Sequence, residues 1–348
     1  MSLRTRRGVS RSTSLAAALA AVSVLVAVWL SLQPHRLGDL HRVAGWTSQW
    51  LHGVSLYGPD SDVDYPPWAI VTLSPIALIP SGWLPMVWGS INLVALGFIA
   101  RRLSRSWGTL FFLLIAAGAM RTLNQFSLVA LALAVAGTTG STPTSALWLG
   151  LSLMKPQIGA VFWLHALWRR EWRLASLALA VPALLMVIYA ARVHVPLLGV
   201  PGAYAQSIHV QYDDIFWGQT EITSWLRTLA PGGSAIAIAL LVAGAAFAPL
   251  ARVRPLLGLA LASLLAMRHL SYDLILLLPW VATRSGTALW LSACVLVADP
   301  SAVAGLLAPD SFLAQHGDRL LLSLFWGLSA LQAFRVRRSA GIAPAPAE

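Results

Sequence analysis

Long apolar runs recur along this chain, and a polypeptide built from them has to hide most of its surface from water. The run at 14–32 follows Arg4, Arg6, Arg7 and Arg11 and is 19 residues long. A cleavable signal has an apolar core of roughly 7–15 residues, so this run reads as an uncleaved first span. Further candidates lie at 83–100, 107–121, 124–138, 145–168, 174–192, 234–251, 255–268, 271–283, 286–298 and 319–334. Two runs are broken by proline. The stretch 67–80 has Pro67 and Pro80 at its ends and Pro75 inside, which suits a re-entrant or half-helical segment, and 145–168 breaks at Lys155-Pro156. Only 11% of the residues are charged, against roughly 25% in soluble domains. An ordinary soluble domain is excluded. The expected fold is an all-α, polytopic integral membrane protein of about 10–12 membrane segments.

The +11 formal charge takes its meaning from where it sits. Basic loops stay cytoplasmic, and placing the N-terminus inside collects Arg4, Arg6, Arg7, Arg11, Arg101, Arg102, Arg105, Arg169, Arg170, Arg173, Arg252, Arg254, Arg284, Arg335, Arg337 and Arg338 on that face. The inner side then carries roughly +14 and the outer side roughly −3. This threading treats 67–80 as re-entrant and 145–168 as two half-helices. A rival in which each crosses once puts Arg101, Arg102 and Arg105 outside. One polytopic domain, 1–338, is expected, with a first outer loop at 33–66, a larger one at 193–233, a cytoplasmic tail at 339–348 and both termini inside. The bacterial plasma membrane is the expected location. The charge reports orientation, and nucleic acid is not an expected partner.

Polar residues are costly in such a chain, so their clusters point to function. From Leu40 the apolar residues fall at Leu40, Val43, Trp46, Trp50, Leu51 and Val54, which predicts an amphipathic helix lying in the interface. Asp39 precedes it. Its carboxylate suits an N-cap, and a cap is also held in place for proton transfer. Asp60, Asp62 and Asp64 form an acidic turn, with Asp64, beside Tyr65-Pro66-Pro67, the one expected to face a site. Two polar groups interrupt apolar runs, Arg121 to Gln125 and Lys155-Pro156-Gln157, and a third runs from Met267 to Asp273, where Arg268 and Asp273 form a plausible pair. Lys155 is the only lysine in the chain. Snorkelling to the interface is the plain alternative to a functional role for it.

Several chemistries lack their parts. No Walker-type or GxGxxG loop, HExxH, Gly-x-Ser-x-Gly elbow or CxxC pair is present, and Cys294 is the one cysteine. The eight histidines are widely scattered, and no metal site is expected. What remains is an outer-face site of carboxylates, cations, amides and aromatics. Sixteen tryptophans are compatible with sugar stacking and with a headgroup-level belt.

At these residues the chain resembles the bacterial polyprenyl-phosphate-mannose-dependent alpha-mannosyltransferases, polytopic enzymes of the GT-C superfamily. The resemblance rests on the order of Asp39, Gly53-Val54-Ser55-Leu56-Tyr57, Tyr65-Pro66-Pro67, the Pro75 to Pro80 segment, Asn124-Gln125, Lys155-Pro156-Gln157 and Ser271-Tyr272-Asp273. It runs from about residue 14 to 283. Asn124 stands where the family often has Gly before the Gln, and Ser271-Tyr272-Asp273, with His269 displaced, where some members show paired histidines. The resemblance implies inverting transfer of a sugar, mannose in the family, from a polyprenyl-phosphate donor to a glycolipid or envelope-glycan hydroxyl on the outer face. No cofactor is implied. Such a transfer needs a carboxylate to take the acceptor proton and cations for the departing phosphate. Asp39 is the expected base, with Asp64 the runner-up, and Lys155 and Arg268 are the expected phosphate ligands. Tyr65, Asn124, Gln125, Gln157, His269, Tyr272 and Asp273 are the candidates for binding sugar or acceptor. A lipid or sugar transporter and a non-catalytic envelope scaffold are the competing classes.

Overall fold

The structure, a computed structural model, describes residues 38–58, 61–104, 107, 111, 125–138, 142–214, 222, 226, 235–266, 271–281 and 312–339. The predicted first span at 14–32, most of 107–121, and the span at 286–298 lie outside these residues.

Every regular element among the described residues is helical, as expected for a chain whose backbone polar groups must be satisfied within each segment. The described residues hold twelve α-helices: α1 Gly38–Leu51, α2 Pro67–Leu73, α3 Leu84–Leu103, α4 Ser127–Gly137, α5 Thr142–Ser152, α6 Pro156–Trp168, α7 Trp172–Val193, α8 Val200–Asp214, α9 Ala235–Phe247, α10 Pro255–Ala266, α11 Leu278–Val281 and α12 Phe312–Ser339. Two of them, α3 and α7, are both long and apolar enough to cross a bilayer.

The amphipathic helix falls where the periodicity puts it. Leu40, Val43, Trp46 and Trp50 are buried while Asp39, His41, Arg42 and Gln49 are exposed. Its apolar face packs on protein, against α2, the following 3-10 turn and α7, where each large side chain withdrawn from water contributes about 1.5–3 kcal/mol. Proline 67 opens α2 at a position that needs no backbone N–H, and after seven residues the chain passes into a 3-10 turn, Ser74–Leu78, with Pro75 in its first turn. That turn comes back against α1. The 67–80 segment therefore enters and returns at one end of the molecule, as a re-entrant segment does.

The second break is a hairpin. The α5 helix stops at Ser152, Lys155 sits in an extended conformation, and Pro156 starts α6. Gly159 allows the close approach: a Cβ there would lie 2.6 Å from the Ser152 carbonyl. Gly150 does the same for α5 against α7, where a Cβ would meet Ala178 O and Val181 at 2.5 Å.

Helix directions make the bundle bipolar. The starts of α4 and α6, and the ends of α5, α7 and α10, gather at the end that holds α1 and the 54–66 loop. At the opposite end lie the end of α3, the α6–α7 turn, the α9–α10 turn and the end of α12, joined by the Trp168–Phe247 ring contact and by Arg254 Nη1 donating to Gln332 Oε1 at 3.2 Å. At 1.5 Å per residue α6 is about 20 Å long and α7 about 33 Å. Lys155, at the head of α6, thus lies about two thirds of the way along α7 from the basic end.

Candidate active site

The N-terminal turn of α1 presents Asp39 to solvent. The helix begins one residue earlier, at Gly38, so Asp39 stands inside the first turn and not before it. Its Oδ2 accepts a hydrogen bond of 2.6 Å from Gln125 Nε2. Two residues 86 apart in sequence, from two separate polar clusters, thus form one unit. The amide holds one carboxylate oxygen in place and leaves lone pairs for a second partner.

Asp64 lies beside this unit. One side of it is open to solvent. Withdrawal from water on its protein side, and then the Asp39 charge, push its carboxyl up from 3.8 to about 6, while Lys155 and Arg42 pull it down. Two carboxylates and two cations therefore share one region. The loop carrying Asp64 is pinned at several points. Tyr57 Oη donates to Tyr65 O (2.8 Å), Ser61 Oγ to Leu56 O (2.6 Å), Leu56 N to Tyr189 Oη (3.0 Å) and Gly58 N to Ser207 Oγ (3.1 Å). Asp62 is taken by Trp46 Nε1 at 3.1 Å, whereas the Asp64 carboxyl feels the Asp39 charge. The Tyr65 ring is half-buried against Phe126 and Trp46.

Under this surface sits a buried ionic cluster. Lys155 Nζ, in a residue 7% exposed, donates to Asp273 Oδ1 at 2.8 Å and to Ser127 Oγ at 2.5 Å. Ser127 in turn donates to Asp273 Oδ1 at 2.7 Å. The 3-10 segment Ser271–Leu277 and the start of α4 are thereby tied to the break between α5 and α6. The sequence offered Asp273 as a sugar or acceptor contact, with a pairing to Arg268 as the plain alternative, and Lys155 as a phosphate ligand; in the structure Lys155 and Asp273 are each other's partner. A buried charge is tolerable only when paired and hydrogen-bonded, and this arrangement meets that condition.

The remaining candidates divide. Gln157 is half-buried at the head of α6, and its carbonyl accepts from Ser263 Oγ at 3.2 Å. Asn124, Arg268 and His269, and the Tyr272 side chain, lie outside the described residues. Ser127 and Arg42 were not singled out from the sequence. Ser127 stands two residues after Gln125 at the head of an apolar run, a polar placement that signals a partner, whereas Arg42 reads as an ordinary residue of a wet helix face. Among the described residues no group of three His, Cys, Asp or Glu side chains is placed to hold a metal ion.

Comparison with known proteins adds one result. The family model described as Glycosyltransferase family 87 matches residues 64–269, more than half of the chain, from Asp64 through α10. No curated protein and no solved structure matches.

Proposed function

The chain belongs to Glycosyltransferase family 87, and we propose that this membrane glycosyltransferase moves a sugar from a polyprenyl-phosphate donor to a hydroxyl of a glycolipid or envelope glycan, with inversion. Mannose is the sugar we assign, on the resemblance set out above. The observation that carries the reading is the Asp39–Gln125 pair beside Asp64. An inverting transfer needs one carboxylate, fixed but open to the acceptor, and Asp39 has that combination.

In the proposed reaction the acceptor oxygen attacks the anomeric carbon as Asp39 takes its proton. The bond to the lipid phosphate breaks on the opposite face, and the phosphate leaves with the electron pair. Asp64 is the neighbour whose charge opposes a second anion on Asp39's side of the site, and it is the alternative base. Phosphate contact falls to Arg268, because Lys155 is already engaged by Asp273 and Ser127; Lys155 acts instead on the carboxylates and on the start of α4, next to Gln125. Tyr65, Asn124, Gln125, Gln157 and, from the late polar element, His269 and Tyr272 are the proposed sugar and acceptor contacts. Neither a metal nor another cofactor has a role in the scheme. The proposed orientation puts the site outside and both termini in the cytoplasm of a bacterial plasma membrane.

The test is sugar transfer by purified protein in lipid, supplied with a panel of polyprenyl-phosphate sugars. Asp39→Asn is expected to lower kcat by about 10²–10⁴-fold, the range for a lost general base, with donor binding retained. Full activity in that variant overturns Asp39 as base. Transfer from nucleotide sugars alone overturns the donor class.

A further inference from the structure

The end of the bundle opposite the site has a composition that the transfer reaction does not explain. The α6–α7 turn runs Trp168-Arg169-Arg170-Glu171-Trp172-Arg173, and both indoles are on the surface, Trp168 at 50% and Trp172 at 62% exposed. Trp168 packs edge-on against Phe247, ring centroids 5.0 Å apart. That contact brings the α6–α7 turn next to the α9–α10 turn, which carries exposed Arg252. Arg170 adopts a left-handed φ of 61° without being glycine, a conformation that sets the sharp reversal between the helices. Glu171 is the one acidic residue at this end among the described residues, and Arg169 Nη2 already meets it at 3.2 Å.

We propose that this end is a binding surface for anionic phospholipid headgroups, gripped by Arg170, Arg173 and Arg252 between the two turns. Guanidinium forks match phosphate oxygens in a bidentate way that a point charge does not. Exposed indoles beside them fix the depth, because tryptophan settles where headgroup meets acyl chain. A site for a free anion has no use for two half-exposed indoles, whereas indoles flanking arginines match the headgroup level of a bilayer. Simple sidedness asks only for positive charge on the inner loops; here Arg169, Arg170, Arg173, Arg252 and Arg254 fall on two turns joined by an aromatic contact, with the one acid between them neutralised. The inference does not depend on the transfer chemistry.

Native mass spectrometry of the purified full chain, titrated with phosphatidylglycerol or phosphatidylcholine of equal chain length, tests it. Phosphatidylglycerol is expected to be retained preferentially. Each of Arg170→Asn, Arg173→Gln and Arg252→Gln should weaken that retention by about fivefold, with asparagine chosen at 170 because it accepts the left-handed backbone. The triple variant should abolish the preference, and the single variants answer the question if the triple one does not fold. Equal retention of the two lipids, or unchanged preference in all three single variants, overturns the proposal. Displacement of the lipid by millimolar inorganic phosphate also overturns it, by assigning the site to a free anion.

Discussion

Asp64 is the residue whose surroundings most alter its chemistry. With a folded-state value of about 6 against an ordinary 3.8, its protonated form is favoured by the fold. Whatever stability it contributes is therefore fully present below about pH 4 and is lost as pH rises through 6. Asp64→Asn should accordingly stabilise the protein at pH 7.5, by about 1 kcal/mol once the open side of the residue is allowed for, and should do almost nothing at pH 4. Thermal melting of both proteins across that range checks the sign, and a shift independent of pH would show that the fold does not raise the Asp64 carboxyl. The sequence singled out Asp39, Asp64 and Gln125 because polar side chains are conspicuous in an apolar chain. It did not show that Gln125 would donate to Asp39, since that contact depends on how α1 and the head of α4 are brought together and no local pattern encodes it.

At the scale of elements, the breaks were legible and their fastenings were not. Proline in a short apolar run favours a helix start or stop, so Pro67, Pro75 and Pro156 pointed to the re-entrant segment and the break at Lys155, whereas Pro182 sits within the long α7. The amphipathic period of α1 was equally plain, although its apolar face turned out to be covered by protein. The Lys155–Asp273 bond was missed because a nearer cation, Arg268, offered Asp273 a partner a few residues away. Burial decides the matter: a lone lysine at the end of α5 has to be neutralised where it lies. Asp273→Asn is expected to cost about 3–5 kcal/mol, and the double variant Lys155→Met/Asp273→Leu to recover most of it, since removing both charges leaves none unpaired. Denaturation of the two variants in one detergent measures the difference. If the double variant is no more stable than the single one, the pair does not hold the hairpin.

For the molecule as a whole, Asp39, Asp62 and Asp64 lie at one end, in company with Arg42 and Arg192, and Arg101, Arg102, Arg169, Arg170, Arg173 and Arg252 lie at the other. This distribution was readable as a loop-by-loop bias, but the geometry of the ends required the helix directions. In a background with Cys294 replaced, Ser55→Cys should react with an impermeant thiol reagent on intact cells, and Ser104→Cys only after the membrane is opened. Reaction of both from outside would reverse the assignment of the basic end to the cytoplasm. The two doubled-back excursions carry a further consequence. The α2 segment leaves and rejoins the acidic end, and the α5–α6 hairpin leaves and rejoins the basic end, so each is an even step that leaves the side of every later loop unchanged. Lengthening, shortening or even deleting such an excursion preserves the parity of the chain, whereas the gain or loss of one full span such as α7 would turn every downstream loop to the opposite compartment.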